Sequence, residues 1–74
     1  MTLYEFKLLD KEQQYDITFN QGTYIAYHLE LNSRFALYAV DKFFVEIEYN
    51  AEKNKIVNLL SFIQGPLLDR YTSL

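Results

Sequence analysis

Phe43-Phe44-Val45-Glu46-Ile47-Glu48-Tyr49 is the stretch that decides the fold. Residues 45–49 alternate strictly between apolar and acidic. Successive side chains of a strand point to opposite faces. Phe43, Val45, Ile47 and Tyr49 therefore share one face, and Phe44, Glu46 and Glu48 share the other. That is the signature of an antiparallel strand with one face on a core and the other toward water.

Reading outward, residues 34–40 form a strand joined to this one by a turn at Asp41-Lys42. Before it, residues 23–31 form another. Its regular alternation puts Ile25, Tyr27, Leu29 and Leu31 on one face and Tyr24, Ala26, His28 and Glu30 on the other. Asn32-Ser33 marks the turn between them. After residue 50 comes a polar loop in which Asn54 suits the left-handed conformation, and residues 56–62 are a fourth strand. Short links between successive strands imply a meander.

The register has two solutions, because directly opposed residues share a face. Two-residue loops set Leu29 opposite Ala36, Tyr27 opposite Tyr38 and Tyr38 opposite Val45, and turn Ala36, Tyr38 and Val40 to the core. Three-residue loops turn Phe35, Leu37 and Ala39 inward instead. Neither turn contains glycine, so the loop length is not signalled. The strand is apolar on both sides, which implies burial on both.

Residues 3–9 read as an apolar lead-in. Asp10-Lys11-Glu12-Gln13 matches a capping box, Tyr15 and Phe19 fall one helical turn apart, and Gly22 is a stop signal. Tyr15, Ile17 and Phe19 also alternate with period two, so a strand stays open here, but the paired start and stop signals favour a helix over residues 10–21. At the other end, Gly65-Pro66 breaks the last strand and Pro66 suits the first position of a helix. Leu67, Leu68, Tyr71 and Leu74 follow at helical spacing, and so short a helix needs a surface to dock on. The expected fold is α+β: an N-terminal helix packed on a four-stranded antiparallel meander, with a short C-terminal helix closing an edge or end, in a single domain of residues 1–74.

Several of these residues form a recognisable order: Glu12-Gln13 before an apolar helix, Gly22, Leu37-Tyr38, residues 43–49, Asn54 with Ile56, Ser61-Phe62, and Leu67-Leu68 with Tyr71. In this order the chain resembles a family of small uncharacterised bacterial proteins of the Bacteroidetes type. The resemblance spans most of the chain and implies a helix, a four-stranded meander and a terminal helix, with no activity attached. The chain departs from that pattern at Thr18-Phe19, where such proteins often carry a tryptophan.

Composition narrows the function. A chain of 74 residues buries only about 60% of the surface its unfolded form exposes. Domains of this size commonly add disulfides, metals or oligomerisation. There is no cysteine and a single histidine, so self-association is the expected route, as a homodimer. Lack of cysteine fits a reducing, cytoplasmic setting, no secretory signal opens the chain, and no run is long and apolar enough for a membrane span. Seven basic residues are scattered among ten acidic ones for a net charge of −3, which argues against nucleic-acid binding.

Candidate chemistry is sparse. His28 and Glu30, and two strands later Glu46 and Glu48, share a face and are the only grouping able to hold a divalent cation or act as acid and base. Alternation alone already explains them as the watered side of a sheet. The serines lie in no nucleophile motif, and the two glycines make no phosphate loop. A non-catalytic protein without a cofactor or metal is expected. The better lead is the aromatic excess, seven tyrosines and six phenylalanines. An aromatic sheet face rimmed by Glu30, Arg34, Glu46 and Glu48 resembles an interface core with a polar rim. Tyr24, Tyr38 and Phe44 are its expected contact residues. A second reading is a small-ligand-binding domain with a pocket between helix and sheet and His28 and Glu30 at its mouth. A third is a metal-dependent enzyme using His28, Glu30, Glu46 and Glu48.

Overall fold

A computed structural model describes residues 1–63. In chain order they form α1 (Leu3–Lys7), α2 (Lys11–Gln21), β1 (Thr23–Glu30), β2 (Ser33–Val40), β3 (Phe43–Asn50) and β4 (Lys55–Phe62). The strands make one antiparallel sheet in the order β1-β2-β3-β4. This is the expected α+β meander with helices. The expected C-terminal helix from Pro66 lies outside the described residues.

Both helices start at capping boxes, which satisfy amide donors that a helix leaves unpaired at its N-terminus. Asp10 accepts from the Gln13 amide at 2.8 Å and Gln13 accepts from the Asp10 amide at 3.2 Å, which settles residues 11–21 as helix. The lead-in at residues 3–9 is corrected: it holds a helix of its own. Thr2 accepts from the Glu5 amide at 3.1 Å, and Glu5 accepts from the Thr2 amide at 2.8 Å. That amide and the Thr2 hydroxyl hold the Glu5 carboxyl below its ordinary range. Thr2-Leu3-Tyr4-Glu5 carried the signal in sequence.

The helices lie on one face of the sheet, here the first face. Phe6 of α1 is fully buried against Val40, Phe43, Val45, Ile47 and Leu59, with Leu3, Leu9, Tyr15, Ile17 and Tyr38 around this cluster. The Phe6 and Phe43 rings meet at 5.1 Å with a 54° tilt. The buried residues of α2 are Gln14 and Thr18, with Tyr15 and Ile17 half-buried against the cluster. Gln14 donates to the carbonyls of Phe6 at 2.9 Å and Leu9 at 3.3 Å, so its amide satisfies acceptors at the end of α1 and ties the two helices together. Thr18 donates back to the Gln14 carbonyl at 2.8 Å.

Gly22 ends α2 as expected, for a different reason. Its backbone is extended (φ −75, ψ 151), so no left-handed turn is required. A Cβ here would sit 2.4 Å from the Thr18 carbonyl oxygen and 3.3 Å from Val40 Cγ2. The glycine is there because α2 turns into β1 at close quarters.

The first two strand links are two-residue loops and the third has four residues, with one correction. The first turn is Leu31-Asn32 rather than Asn32-Ser33, so Tyr27 opposes Ala36 and Leu29 opposes Arg34. Parity is unaffected. Tyr38 opposes Val45 and Val40 opposes Phe43, so Ala36, Tyr38 and Val40 face the helices as the two-residue reading requires. Asp41 takes φ 51 in the second turn, and Asn54 takes φ 57 in the loop before β4, a conformation that Asp and Asn tolerate better than most residues. Bulges interrupt the alternation twice, at Ile25 in β1 and at Val57 in β4. Strand β2 is buried on both sides, with Val40 on the first face and Phe35 and Leu37 on the second. Glu46, expected on a watered face, is corrected to buried, in register between Leu37 and Leu60.

Two predictions follow from this packing. Phe6→Ala removes the fully buried ring under α1 and is expected to lower unfolding free energy by about 3–5 kcal/mol in chemical denaturation. Gly22→Ala reduces unfolded-state entropy, worth about 0.4–1 kcal/mol of stability, but forces a contact at 2.4 Å. Its expected net effect is a loss of about 1–3 kcal/mol, read as a lower denaturation midpoint with an unchanged slope.

Candidate functional site

The helices leave part of the first face bare. α2 packs against β2 and α1 against β4, and the edge strand β1 is largely uncovered. Tyr24, Tyr27 and Leu29 are 53%, 64% and 58% exposed, and Leu31, just past the strand, is fully exposed. Together with Arg34, Ala36, Ile47 and Tyr49 the three β1 residues line an open concavity of about 400 Å³. Its walls are almost entirely apolar, and the Arg34 guanidinium is the charged group at its side.

The bulge at Ile25 makes this surface. Without it Tyr24 would fall on the same face as His28, as the regular alternation implies. With one extra residue in the strand, Tyr24 comes into register with Tyr38 while Ala26 comes into register with Leu37, and Tyr24 moves to the first face. Extra residues of this kind redirect side chains at sheet edges. The Tyr24 and Tyr38 rings meet edge to face at 5.8 Å and 72°. Tyr38 meets Phe19 of α2 at 5.7 Å and 83°, and Phe19 stacks on Tyr15 at 6.3 Å. A continuous run of rings thus leads from α2 across β2 to the bare edge.

Of the three expected contact residues, the structure brings Tyr24 and Tyr38 together and sets Phe44 apart. Phe44 lies on the second face, half-buried and 5.9 Å from Phe62. A single aromatic face holding Tyr24 and Phe44 together is therefore corrected. The expected rim is also divided: Arg34 is on the first face, Glu46 is buried, and Glu30 and Glu48 are on the second face. Tyr27 and Leu29, which alternation assigned to the core, emerge as the most prominent members of the strip. A short sheet-facing helix layer cannot cover four strands, and that is a matter of width which strand periodicity does not carry.

The polar candidates do share the second face but are not assembled. His28 and Glu48 lie in one cross-strand row with Phe35 between them, so about 10 Å of sheet, two strand spacings, separates the two strands. The His28 ring stands 6.0 Å from the Phe35 ring. His28 pairs with Glu30 at 3.2 Å on its own strand, and Glu48 accepts from the Ser33 hydroxyl at 2.9 Å. Among the described residues no three metal-ligating side chains converge. Neither His28 nor Glu30 lines the concavity beside β1, nor the second one between α1 and the β2–β3 turn.

No protein-family model, curated protein or solved structure matches the chain. The class that fold and surface define is a small α+β domain with an open apolar sheet edge. No helix among the described residues is long and apolar enough to cross a membrane.

The separation of His28 from Glu48 has a direct test. Zinc or manganese at millimolar concentration is expected to leave the thermal unfolding midpoint unchanged. A rise in the midpoint that disappears in His28→Ala would show a cation bound at this row.

Proposed function

We propose that this protein is a non-catalytic interaction module that self-associates, as a homodimer, through the apolar strip of β1 on the first face. The observation that carries this reading is the half or greater exposure of Tyr24, Tyr27 and Leu29 side by side. Adjacent exposed aromatics and aliphatics of this kind mark interaction surfaces on small soluble domains. Tyrosine suits such a site because its ring buries area while its hydroxyl keeps a polar partner. Tyr24 and Tyr38 stay as contact residues, joined by Tyr27 and Leu29, with Arg34 and Tyr49 at the side. Phe44 is outside this surface. A net charge of −3 speaks against nucleic acid as the partner, and a cysteine-free chain suits a reducing cytoplasmic setting.

One observation favours a second reading. The concavity beside β1 combines apolar walls with a single guanidinium, a combination that suits a small apolar molecule bearing a negative group.

Sedimentation velocity from micromolar to high micromolar concentration tests the first reading, with native mass spectrometry for the second. The expected result is a concentration-dependent dimer of unmodified mass. Tyr27→Glu and Leu29→Glu alter exposed side chains, so each is expected to change stability by no more than about 0.5 kcal/mol while weakening association about tenfold or more. A monomer at the highest concentration overturns self-association, and a co-purified small-molecule adduct on that monomer replaces it with the second reading.

A further inference from the structure

We infer that the second copy attaches by strand addition. The β1 edges of two molecules pair antiparallel about a twofold axis perpendicular to the sheet, at the paired Leu29 residues, to give one continuous eight-stranded sheet. This deepens the proposed self-association and rests on it, but it is a separate claim about which atoms meet.

The first ground is the asymmetry of the two sheet edges. An edge strand presents unpaired amides and carbonyls, and proteins usually blunt it with lysine, proline, short length or a covering element. The β4 edge is treated in this way: α1 packs against it, and the Lys11 ammonium donates to the Leu59 carbonyl at 3.5 Å. The β1 edge runs eight residues without lysine, arginine or proline. Its one irregularity is the bulge at Ile25, close to the start of the strand, which leaves residues 26–30 as an uninterrupted template for a partner strand.

The second ground is self-complementarity. A twofold axis perpendicular to the sheet superposes like faces, so both bare strips fall on the same side. Three centres are available around the middle of the strand. Tyr27 on the axis would set Glu30 against Tyr24, which the bulge has turned to the other face. His28 on the axis would set the two imidazoles against each other. Leu29 on the axis sets the His28 imidazole of each copy across from the Glu30 carboxylate of the other, a hydrogen-bonding match on each side, and brings Tyr27 beside Leu31 of the turn. The imidazole–carboxylate match selects Leu29. The same register covers Leu31, whose side chain otherwise projects fully into water.

The area is adequate. The exposed parts of Tyr27, Leu29 and Leu31 amount to roughly 400 Å² of apolar surface from each copy. With the ladder backbone this reaches the low end of specific interfaces, about 600 Å² per partner.

Because the chain has no cysteine, a single introduced thiol reports the register. Opposed residues of an antiparallel pair have Cβ atoms about 4.5–5.5 Å apart, near what a disulfide spans. Under mild oxidation Leu29→Cys is expected to form covalent dimers about tenfold faster than Tyr27→Cys, whose opposite number is Leu31, or than Val57→Cys on the far edge. Circular dichroism confirms that each variant is folded, and sedimentation of the unmodified protein is read in parallel. A sedimenting dimer in which Val57→Cys links as fast as Leu29→Cys overturns edge pairing and leaves self-association standing. A dimer that links fastest at Tyr27→Cys overturns the Leu29 register. A monomer overturns both.

Discussion

The contact between Phe6 and Phe43 is the one on which the rest of this small domain depends. A five-residue helix has no independent stability in water. α1 exists because its phenylalanine fills the space above β3 and because Thr2 and Glu5 cap its first turn. α2 is then fixed relative to α1 by the Gln14 amide, which reaches the carbonyls of Phe6 and Leu9. Apolar burial on the sheet and polar satisfaction between the helices therefore act on the same few residues. The sheet supplies an apolar surface, and a buried glutamine joins the two helices over it.

The shortage of helix relative to sheet shapes the surface of the molecule. The described helices hold sixteen residues between them, five and eleven, over a sheet of four eight-residue strands. They cover β2 to β4 and leave β1 apolar and bare. The two edges are consequently unlike. β4 has a helix beside it and a lysine on one of its carbonyls, whereas β1 has four exposed apolar side chains and a run of aromatic contacts leading back to α2. An unequal pair of edges gives the domain a direction in which a partner strand adds.

Much of the fold was legible in the chain. The alternation over residues 45–49 and the capping box at Asp10 and Gln13 correspond to β3 and α2, and the polar loop ending in Asn54 takes the left-handed backbone its side chain suits. α1 was legible too, in Thr2 and Glu5, but an isolated turn of helix is easily mistaken for a lead-in. The candidate surface was only half legible. Tyr24 and Tyr38 belong to it, whereas Phe44 does not, because one bulged residue in β1 reversed the face of Tyr24. Glu46 was assigned to water on its charge and alternation, and its burial is a property of the folded chain that neither carries.

By itself the sequence determined the local terms: the presence of α2 and of four successive strands, and which apolar side chains of β3 seek the core. Those follow from periods of two and 3.6 and from caps that act over three or four residues. The tertiary structure alone decided how wide a sheet two short helices can cover and where the β1 ladder takes up an extra residue. It also decided why residue 22 must lack a side chain, since the Thr18 carbonyl and Val40 occupy the space. Each of these depends on the distance between elements far apart along the chain, and no local pattern encodes such a distance.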